Sequence, residues 1–246
     1  MKDTTILGVR VDDVTYAEVC ERVAAWVAQD GPHQIATVNP EFIMLARRDP
    51  IFYKTLQQTA LNVPDGIGVL YAARQLGQPL RQRVAGIDLM QCLCERAAQQ
   101  GWRVFLLGAG LGVAELAAAK LGQQYPGLIV VGTHAGSPRP EDRNEIIARV
   151  QQTQPQLLFV AYGAPAQDNW LAENLGKIAT THAVVGMGVG GSFDFIVGTQ
   201  QRAPKWVQRV GFEWLDRLLR DPKRWRRQLA LPKFAALVML ESFRRH

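Results

Sequence analysis

The feature of this chain that most constrains its fold is a repeated alternation of short apolar runs with longer amphipathic stretches. The short runs, such as 103–107 and 157–161, are almost continuously apolar and end in glycine or polar turn residues. Runs of this kind are typical of parallel strands that helices cover on both faces. The alternation therefore predicts an α/β fold of Rossmann-like type, with a mostly parallel sheet flanked by helices.

Five strands and eight helices are predicted from this alternation. The predicted strands cover residues 34–38, 103–107, 128–132, 157–161 and 183–187, and the predicted helices cover 16–29, 40–48, 51–59, 66–76, 87–100, 112–124, 140–152 and 166–175. In sheets of this type, ligands bind beyond the carboxyl ends of the strands. We therefore expect the site residues in the segments 37–41, 108–112, 161–167 and 188–194.

Charge divides the chain into two parts. Residues 196–246 contain twelve Lys and Arg against four acids, whereas residues 1–195 contain 16 basic and 18 acidic side chains. We predict an α/β core over 1–195 and a C-terminal basic amphipathic helical appendage over 196–246. Pro222 and Pro232 are expected to divide that appendage into helices near 204–220, 223–229 and 233–245.

The appendage interleaves its cations with tryptophan and phenylalanine, a pattern that favours an anionic membrane surface. A nucleic-acid partner and a merely solvated basic helix are the alternatives. No uninterrupted apolar stretch is long enough to span a bilayer, and residues 1–13 lack the apolar core of a signal peptide. These features predict a cytoplasmic protein attached peripherally to the membrane.

Metal and disulfide chemistry are not indicated by the sequence. Cys20, Cys92 and Cys94 form no disulfide framework, and the four histidines have no ligand-type spacing. The sequence has no Asp-x-Asp triplet at a strand end, which would be expected for the divalent-metal clamp of many sugar-nucleotide enzymes. We therefore predict neither a metal nor a cofactor.

The glycines of the segment 108–112 follow a predicted strand and invite a dinucleotide-binding interpretation. The G-x-G-x-x-G pattern fails at its third glycine, which is Val113, and no acid follows the next strand to bind a ribose. Gly108 and Gly110 still allow backbone N–H groups to approach an anion such as a nucleotide diphosphate. A tight strand–helix turn with no ligand is the alternative.

A predicted strand end and a separate turn carry further candidate polar residues. Thr37 and Asn39 lie at the end of one strand, where Asn39 could bind a ligand or cap the following helix. Asp65 lies in a Pro-Asp-Gly turn, where it could be a helix cap or a general base. Arg83 is suited to bidentate phosphate contact, and a surface pair with Asp88 is its alternative.

The segments after the last two predicted strands complete the candidate set. Gln167 falls in the first turn of a helix and could recognise a sugar hydroxyl or a base edge. Gly190 belongs to a glycine-rich loop that would let the backbone approach a ligand. That loop ends at Asp194, which could bind ribose hydroxyls or act as a cap.

Taken together and in order, these motifs resemble those of the WecG/TagA/CpsF family of bacterial glycosyltransferases over about residues 6–227. The motifs that carry the resemblance are Thr37-Val-Asn-Pro-Glu41, Pro64-Asp-Gly-Ile-Gly68, Arg83-Val-Ala-Gly-Ile-Asp88, Gly163-Ala-Pro-Ala-Gln167, Gly188-Val-Gly-Gly-Ser-Phe-Asp194, Arg202-Ala-Pro-Lys-Trp206, Glu213-Trp-Leu-Asp-Arg217 and Asp221-Pro-Lys-Arg224. One departure concerns Gly136, which is often followed by an aromatic pair in the family and here by Ser137 and Pro138.

The resemblance implies an inverting, metal-independent transferase. Family members move N-acetylmannosamine or its uronic acid from UDP to undecaprenyl-diphosphate-linked N-acetylglucosamine, for wall teichoic acid or surface polysaccharide. The implied catalytic residues are Asp65 as the base, Thr37 and Arg83. The implied substrate-binding residues are Asn39, Gln167, Gly108, Gly110, Gly190, Asp194, Arg217, Arg224 and Arg227, of which the last three would face the diphosphates.

The expected partners are therefore a UDP-sugar donor, a polyprenyl-diphosphate-linked sugar acceptor and an anionic membrane surface, with no nucleic acid. The oligomeric state is left open, with a homo-oligomer among the alternatives. Two other functions remain as rivals, namely a Rossmann-type nucleotide-dependent oxidoreductase and a non-enzymatic basic protein that binds lipid or RNA. The donor sugar and the polymer pathway are not predicted.

Overall fold

A computed structural model describes residues 3–200 and 230–245 of the chain. Its strands are β1 (Asp3–Ile6), β2 (Val9–Asp12), β3 (Pro32–Val38), β4 (Leu61–Pro64), β5 (Arg103–Gly108), β6 (Ile129–His134), β7 (Leu157–Ala161) and β8 (Val184–Gly188). Its helices are α1 (Tyr16–Val27), α2 (Pro40–Ala46), α3 (Pro50–Gln58), α4 (Ile67–Gln75), α5 (Gly86–Gln100), α6 (Val113–Gln124), α7 (Arg143–Thr153), α8 (Ala166–Ile178), α9 (Ser192–Val197) and α10 (Ala230–Arg245).

Six of the strands form one parallel sheet in the order β4-β3-β8-β7-β5-β6. Successive side chains of a strand point to opposite faces, and β5 illustrates the result. Val104 and Leu106 belong to one buried cluster, while Phe105 and Leu107 belong to another on the opposite face. Both faces are therefore covered, which confirms the predicted α/β fold with a mostly parallel sheet.

The first face packs against α1, α5, α6 and α9, and the second against the remaining helices. The five predicted strands and eight predicted helices are all present, with ends that differ from the prediction by up to three residues. Three strands were not predicted. They are β4 and the antiparallel hairpin formed by β1 and β2.

Strand β4 escapes prediction because only four residues form it and a polar residue lies among them. Asn62 is fully buried, and its side-chain amide donates to the Leu56 carbonyl. Its backbone N–H donates to the Asp12 carboxylate at 2.7 Å, which attaches the hairpin to the sheet edge. Pro64 is accommodated because it ends an edge strand.

Helix α10 packs on the second face of the sheet. Phe234 and Val238 are 5% and 2% exposed and join the cluster formed with α2 and α4. The Glu241 carboxylate accepts from the backbone N–H of Leu7 at 3.1 Å, and the Ser242 hydroxyl donates to the Gln75 carbonyl at 2.9 Å.

The helix expected near 233–245 is present, but it already includes Ala230 and Leu231, so the expected boundary at Pro232 is wrong. The N–H that this proline lacks would pair with the carbonyl four residues earlier, so the proline removes no helical hydrogen bond among the described residues. The helices expected near 204–220 and 223–229 lie outside the described residues. None of the described helices is both long and apolar enough to cross a bilayer.

Candidate active site

The carboxyl ends of β3 and β4 bring the first group of candidate residues together. Val38 and Pro64 are register partners, so the residues that follow them leave the sheet side by side. The backbone N–H of Asp65 donates to the Val38 carbonyl at 2.8 Å. Gly66 then adopts φ +108°, a conformation that favours glycine, and the chain enters α4.

The Asp65 carboxylate is held between a helix N-terminus and a guanidinium. Its Oδ2 accepts from the backbone N–H of Gly86, the first residue of α5, at 3.3 Å. Its Oδ1 lies 4.0 Å from Nη2 of Arg83. Both groups attract negative charge, because a helix N-terminus carries a partial positive charge and the guanidinium a full one. Asp65 thus sits where an ionised carboxylate is favoured, with its side chain 25% exposed.

Thr37 faces the same helix N-terminus. A Cβ placed on Gly86 would lie 3.1 Å from Cγ2 of Thr37, which is closer than nearly all real contacts of this kind. The absence of a side chain at Gly86 therefore lets α5 approach β3. Thr37 is itself 7% exposed. Thr37, Asp65 and Arg83, the three predicted catalytic residues, are thus grouped around the N-terminus of α5.

A cleft of about 460 Å³ opens beside Asp65. Its lining includes the polar residues Asn39, Glu41, Asp65 and Arg83. It also includes apolar residues of α4 and α10, among them the half-exposed side chains of Ile67, Tyr71 and Met239. The cleft thus combines a carboxylate with polar and apolar groups.

Asn39 caps helix α2, which was the alternative to its predicted role in ligand binding. Its Oδ1 accepts from the backbone N–H of Phe42 at 3.0 Å, which satisfies one of the free donors at the start of α2. The residue also lines the cleft. Ligand binding by Asn39 therefore stays a prediction.

A second group of candidates lies farther along the same sheet edge. Gln167 is 3% exposed, and its Oε1 accepts from the backbone N–H groups of Gly163 at 3.1 Å and Gly190 at 2.9 Å. It thereby ties the loop after β7 to the loop after β8. Close packing requires Gly188 here, because a Cβ would lie 2.5 Å from Nε2 of Gln167. Contact of Gln167 with a substrate stays a prediction.

The other members of this second group lie in the flanking loops. Gly108 has φ +100°, and a Cβ there would lie 2.9 Å from the carbonyl carbon of Ala161. Gly110 follows in the same loop, and Gly190 has φ +52° with open space around it. Asp194 lies in the first turn of α9, and its Oδ1 accepts from the Thr199 hydroxyl at 3.3 Å. Their predicted binding roles remain untested.

Asp168, next to Gln167, is a fully buried carboxylate. Neither of its oxygens has a hydrogen-bond partner of good geometry among the described residues. Burial raises the pKa of Asp168 to about 7, so the group carries a proton over much of the acidic and neutral range.

Some predicted site residues fall outside the described part of the chain, and some site features were not predicted. Arg217, Arg224 and Arg227 lie outside the described residues. Within 3–200 and 230–245, no three His, Cys, Asp or Glu side chains are grouped to hold a metal ion. Sequence reasoning missed Gly86, whose local signal was its place as the glycine within the 83–88 motif.

Comparison with known proteins identifies one family. The model of the glycosyl transferase WecG/TagA/CpsF family matches residues 4–246. Several curated relatives share the name N-acetylglucosaminyldiphosphoundecaprenol N-acetyl-beta-D-mannosaminyltransferase. The protein of Bacillus subtilis strain 168 is 34% identical over 85% of this chain and 79% of its own length. That of Bacillus spizizenii is 35% identical over 83% and 78%, and that of Staphylococcus aureus strain MW2 is 34% identical over 93% and 89%.

Proposed function

This chain belongs to the WecG/TagA/CpsF family of glycosyl transferases, and from that premise we propose that it moves N-acetylmannosamine, or a related sugar, from a UDP-sugar to undecaprenyl-diphosphate-linked N-acetylglucosamine. The structural observation that carries this proposal is the Asp65 carboxylate, held by Gly86 and Arg83 in a cleft that both polar and apolar residues line. The acceptor likewise has a polar and an apolar part, with a sugar diphosphate attached to a hydrocarbon chain.

In the proposed mechanism, Asp65 acts as the general base. Its carboxylate takes the proton from the 4-hydroxyl of the acceptor sugar, whose oxygen attacks the anomeric carbon of the donor as the bond to UDP breaks. Attack in line with the leaving group inverts the anomeric configuration. The exposed quarter of the Asp65 side chain gives the carboxylate access to a hydroxyl in the cleft.

The donor is proposed to lie along the carboxyl edge of the sheet. From β4 to β5 there are four steps between neighbouring strands, and steps of about 4.8 Å give roughly 19 Å. This span accommodates an extended sugar nucleotide, with its sugar near Thr37 and Asn39 and its nucleotide near the loops of Gly108, Gly110 and Gly190. Gln167 ties the Gly190 loop to the loop that follows β7, and Asp194 is proposed to bind the ribose.

The charge of the leaving diphosphate is proposed to be offset without a metal. In the described part of the chain, the backbone N–H groups of the glycine loops and the Arg83 guanidinium are preorganised hydrogen-bond donors for this charge. Arg217, Arg224 and Arg227 are proposed to complete this positive surface. We further propose that the basic residues of 196–246 hold the protein at the inner face of the cell membrane, beside its lipid-linked acceptor.

The decisive experiment supplies a panel of UDP-sugars together with a short-chain prenyl-diphosphate-linked N-acetylglucosamine. The expected result is transfer from UDP-N-acetylmannosamine or a close analogue, release of UDP, and an inverted anomeric configuration in the product by NMR. Asp65→Asn serves as the inactive control. Absence of transfer from every donor, combined with a change in nicotinamide or flavin fluorescence on mixing, would favour the oxidoreductase rival instead. Binding of RNA or lipid without any transfer would favour a non-enzymatic role.

A further inference from the structure

The N-terminus of α1 is hydrogen-bonded to the segment 81–86, which leads into α5. The phenolic Oη of Tyr16 accepts from the backbone N–H of Ala85 at 2.7 Å. The backbone N–H of Tyr16 donates to Oε1 of Gln82 at 3.0 Å. Tyr16 therefore contacts the segment 81–86 at two points.

Arg81, at the start of the same segment, forms ion pairs with Asp13 and Glu18. Its guanidinium makes two hydrogen bonds to the Glu18 carboxylate, at 2.9 and 2.8 Å, and its Nε bonds the Asp13 carboxylate at 2.9 Å. Glu18 also belongs to the capping box that begins α1, so these contacts depend on the start of that helix. The segment 81–86 is thus anchored at both of its ends by residues 13–18.

This anchored segment carries two groups that contact the Asp65 carboxylate. Arg83 and Gly86 lie within it, and their distances to Asp65, 4.0 and 3.3 Å, are near the outer limit for such contacts. A shift of a few tenths of an ångström is therefore enough to break the Gly86 hydrogen bond. Burial raises the pKa of Tyr16 to about 12, so the phenol that accepts from Ala85 is neutral at ordinary pH.

We propose that Tyr16 is a positioning residue for sugar transfer, which acts by fixing the segment 81–86 so that Gly86 and Arg83 orient the Asp65 carboxylate. The inference rests on the proposed role of Asp65 as the base. Tyr16 touches the segment that holds the base, so its removal should affect the chemical step more than donor binding. Because Ala85 is 3% exposed, removal of the phenolic oxygen leaves a buried N–H without its acceptor.

The first test compares Tyr16→Phe with Tyr125→Phe. Tyr125 supplies the matched change, because among the described residues its hydroxyl accepts a hydrogen bond only from the neighbouring Gln124 side chain, and its position at the end of α6 is remote from Asp65. For Tyr16→Phe we expect kcat to fall about tenfold, with the KM for the UDP-sugar and the dissociation constant of UDP within about threefold of wild type. Tyr125→Phe should retain wild-type values. Active molecules are counted by UDP-binding stoichiometry, well below the melting temperature of each variant.

A merely structural role for Tyr16 has a different signature. It would lower the melting temperature while each folded molecule kept its wild-type kcat, and that result would overturn the proposal. Amide hydrogen exchange provides a readout that needs no activity. The Gly86 N–H should exchange faster in Tyr16→Phe than in wild type, and unchanged protection at Gly86 would also contradict the proposal.

A second pair of variants covers the case in which Tyr16→Phe does not fold. Arg81→Gln breaks the contacts to Glu18 and Asp13, whereas Arg96→Gln breaks a similar 2.8 Å ion pair between α5 and Glu21 of α1 that lies away from the segment. We expect kcat to fall twofold to fivefold in Arg81→Gln and to stay unchanged in Arg96→Gln. Equal effects in the two variants would refute positioning by this segment. If the wild-type protein transfers no sugar, the proposed function itself fails. If the wild-type protein is active but Tyr16→Phe has no effect on kcat, only the positioning role of Tyr16 fails.

Discussion

Replacement of Gly86 by alanine tests the close approach of α5 to β3. The new Cβ would lie 3.1 Å from Cγ2 of Thr37 and 3.4 Å from its Cβ, so α5 must retreat by a few tenths of an ångström. The Gly86 N–H is already 3.3 Å from Oδ2 of Asp65, and the retreat carries it beyond hydrogen-bonding distance. A hydrogen bond to a charged group contributes about 1.5–3 kcal/mol.

The expected loss of activity follows from that energy. If the hydrogen bond acts fully in the transition state, its loss lowers kcat/KM by about 10- to 100-fold, since 1.36 kcal/mol corresponds to a factor of ten. Crowding of a packed interior adds a loss of unfolding free energy of about 1–3 kcal/mol. Steady-state transfer kinetics and thermal unfolding measure the two effects. Gly122→Ala is the control, because it lies in α6 with open space around it.

A rescue variant separates crowding from other causes. Thr37→Ser removes the methyl group that the new Cβ would meet but keeps the hydroxyl. Gly86→Ala in the Thr37→Ser background should therefore cost much less activity than Gly86→Ala in wild type. The reasoning is refuted if Gly86→Ala keeps wild-type kcat/KM, or if its defect is equally large in both backgrounds.

Four further outcomes are expected. Asp65→Asn should retain UDP binding but lower kcat by about 10²–10⁴-fold, the range for a lost general base, and near wild-type turnover at saturating substrate would remove Asp65 from the mechanism. Transfer should persist in EDTA, whereas loss in chelator with recovery on addition of Mg²⁺ or Mn²⁺ would show that a metal is needed. The raised pKa of Asp168 stabilises the folded state below the unfolded pKa near 3.8, and this contribution is lost as pH rises through about 7. Asp168→Asn should therefore raise the melting temperature at pH 8 relative to wild type. A melting temperature below that of wild type would show that the folded protein stabilises the ionised Asp168 carboxylate. Phe234→Ala should lower the unfolding free energy by about 3–5 kcal/mol, while Phe243→Ala, at an 81% exposed position, should change it little in chemical denaturation.

The fold and part of the site could be predicted from local patterns in the sequence. Continuous apolar runs identify the buried parallel strands, and the rule for strand ends directs attention to Thr37 and Gln167 before any contact is known. The Pro-Asp-Gly turn also marks Asp65 as a residue with a fixed backbone. Local patterns of this kind indicate the type of secondary structure and identify the residues at the end of a strand.

Other features depend on contacts between distant parts of the chain. Ala85 bonds Tyr16 across 69 positions, and no local periodicity indicates such a pair. Strand β4 contains a polar Asn62, and its backbone N–H finds its acceptor in Asp12 across 50 positions, so the sequence of the strand does not indicate a buried element. The placement of α10 beside Asp65 likewise follows from the packing of Phe234 with α2 and α4, which its own amphipathic pattern does not specify.

The position of α10 also bears on the order in which a newly made molecule becomes competent. Leu7 and Glu241 are joined across 234 positions, and the apolar wall that α10 contributes to the cleft is translated long after Asp65 and Arg83. A growing chain has all strands of the sheet available before this wall exists. Contacts of such long range form slowly, because a large loop must close first. We therefore expect nascent chains to acquire nucleotide affinity before they acquire the complete acceptor cleft, so that synthesis itself separates the two events in time.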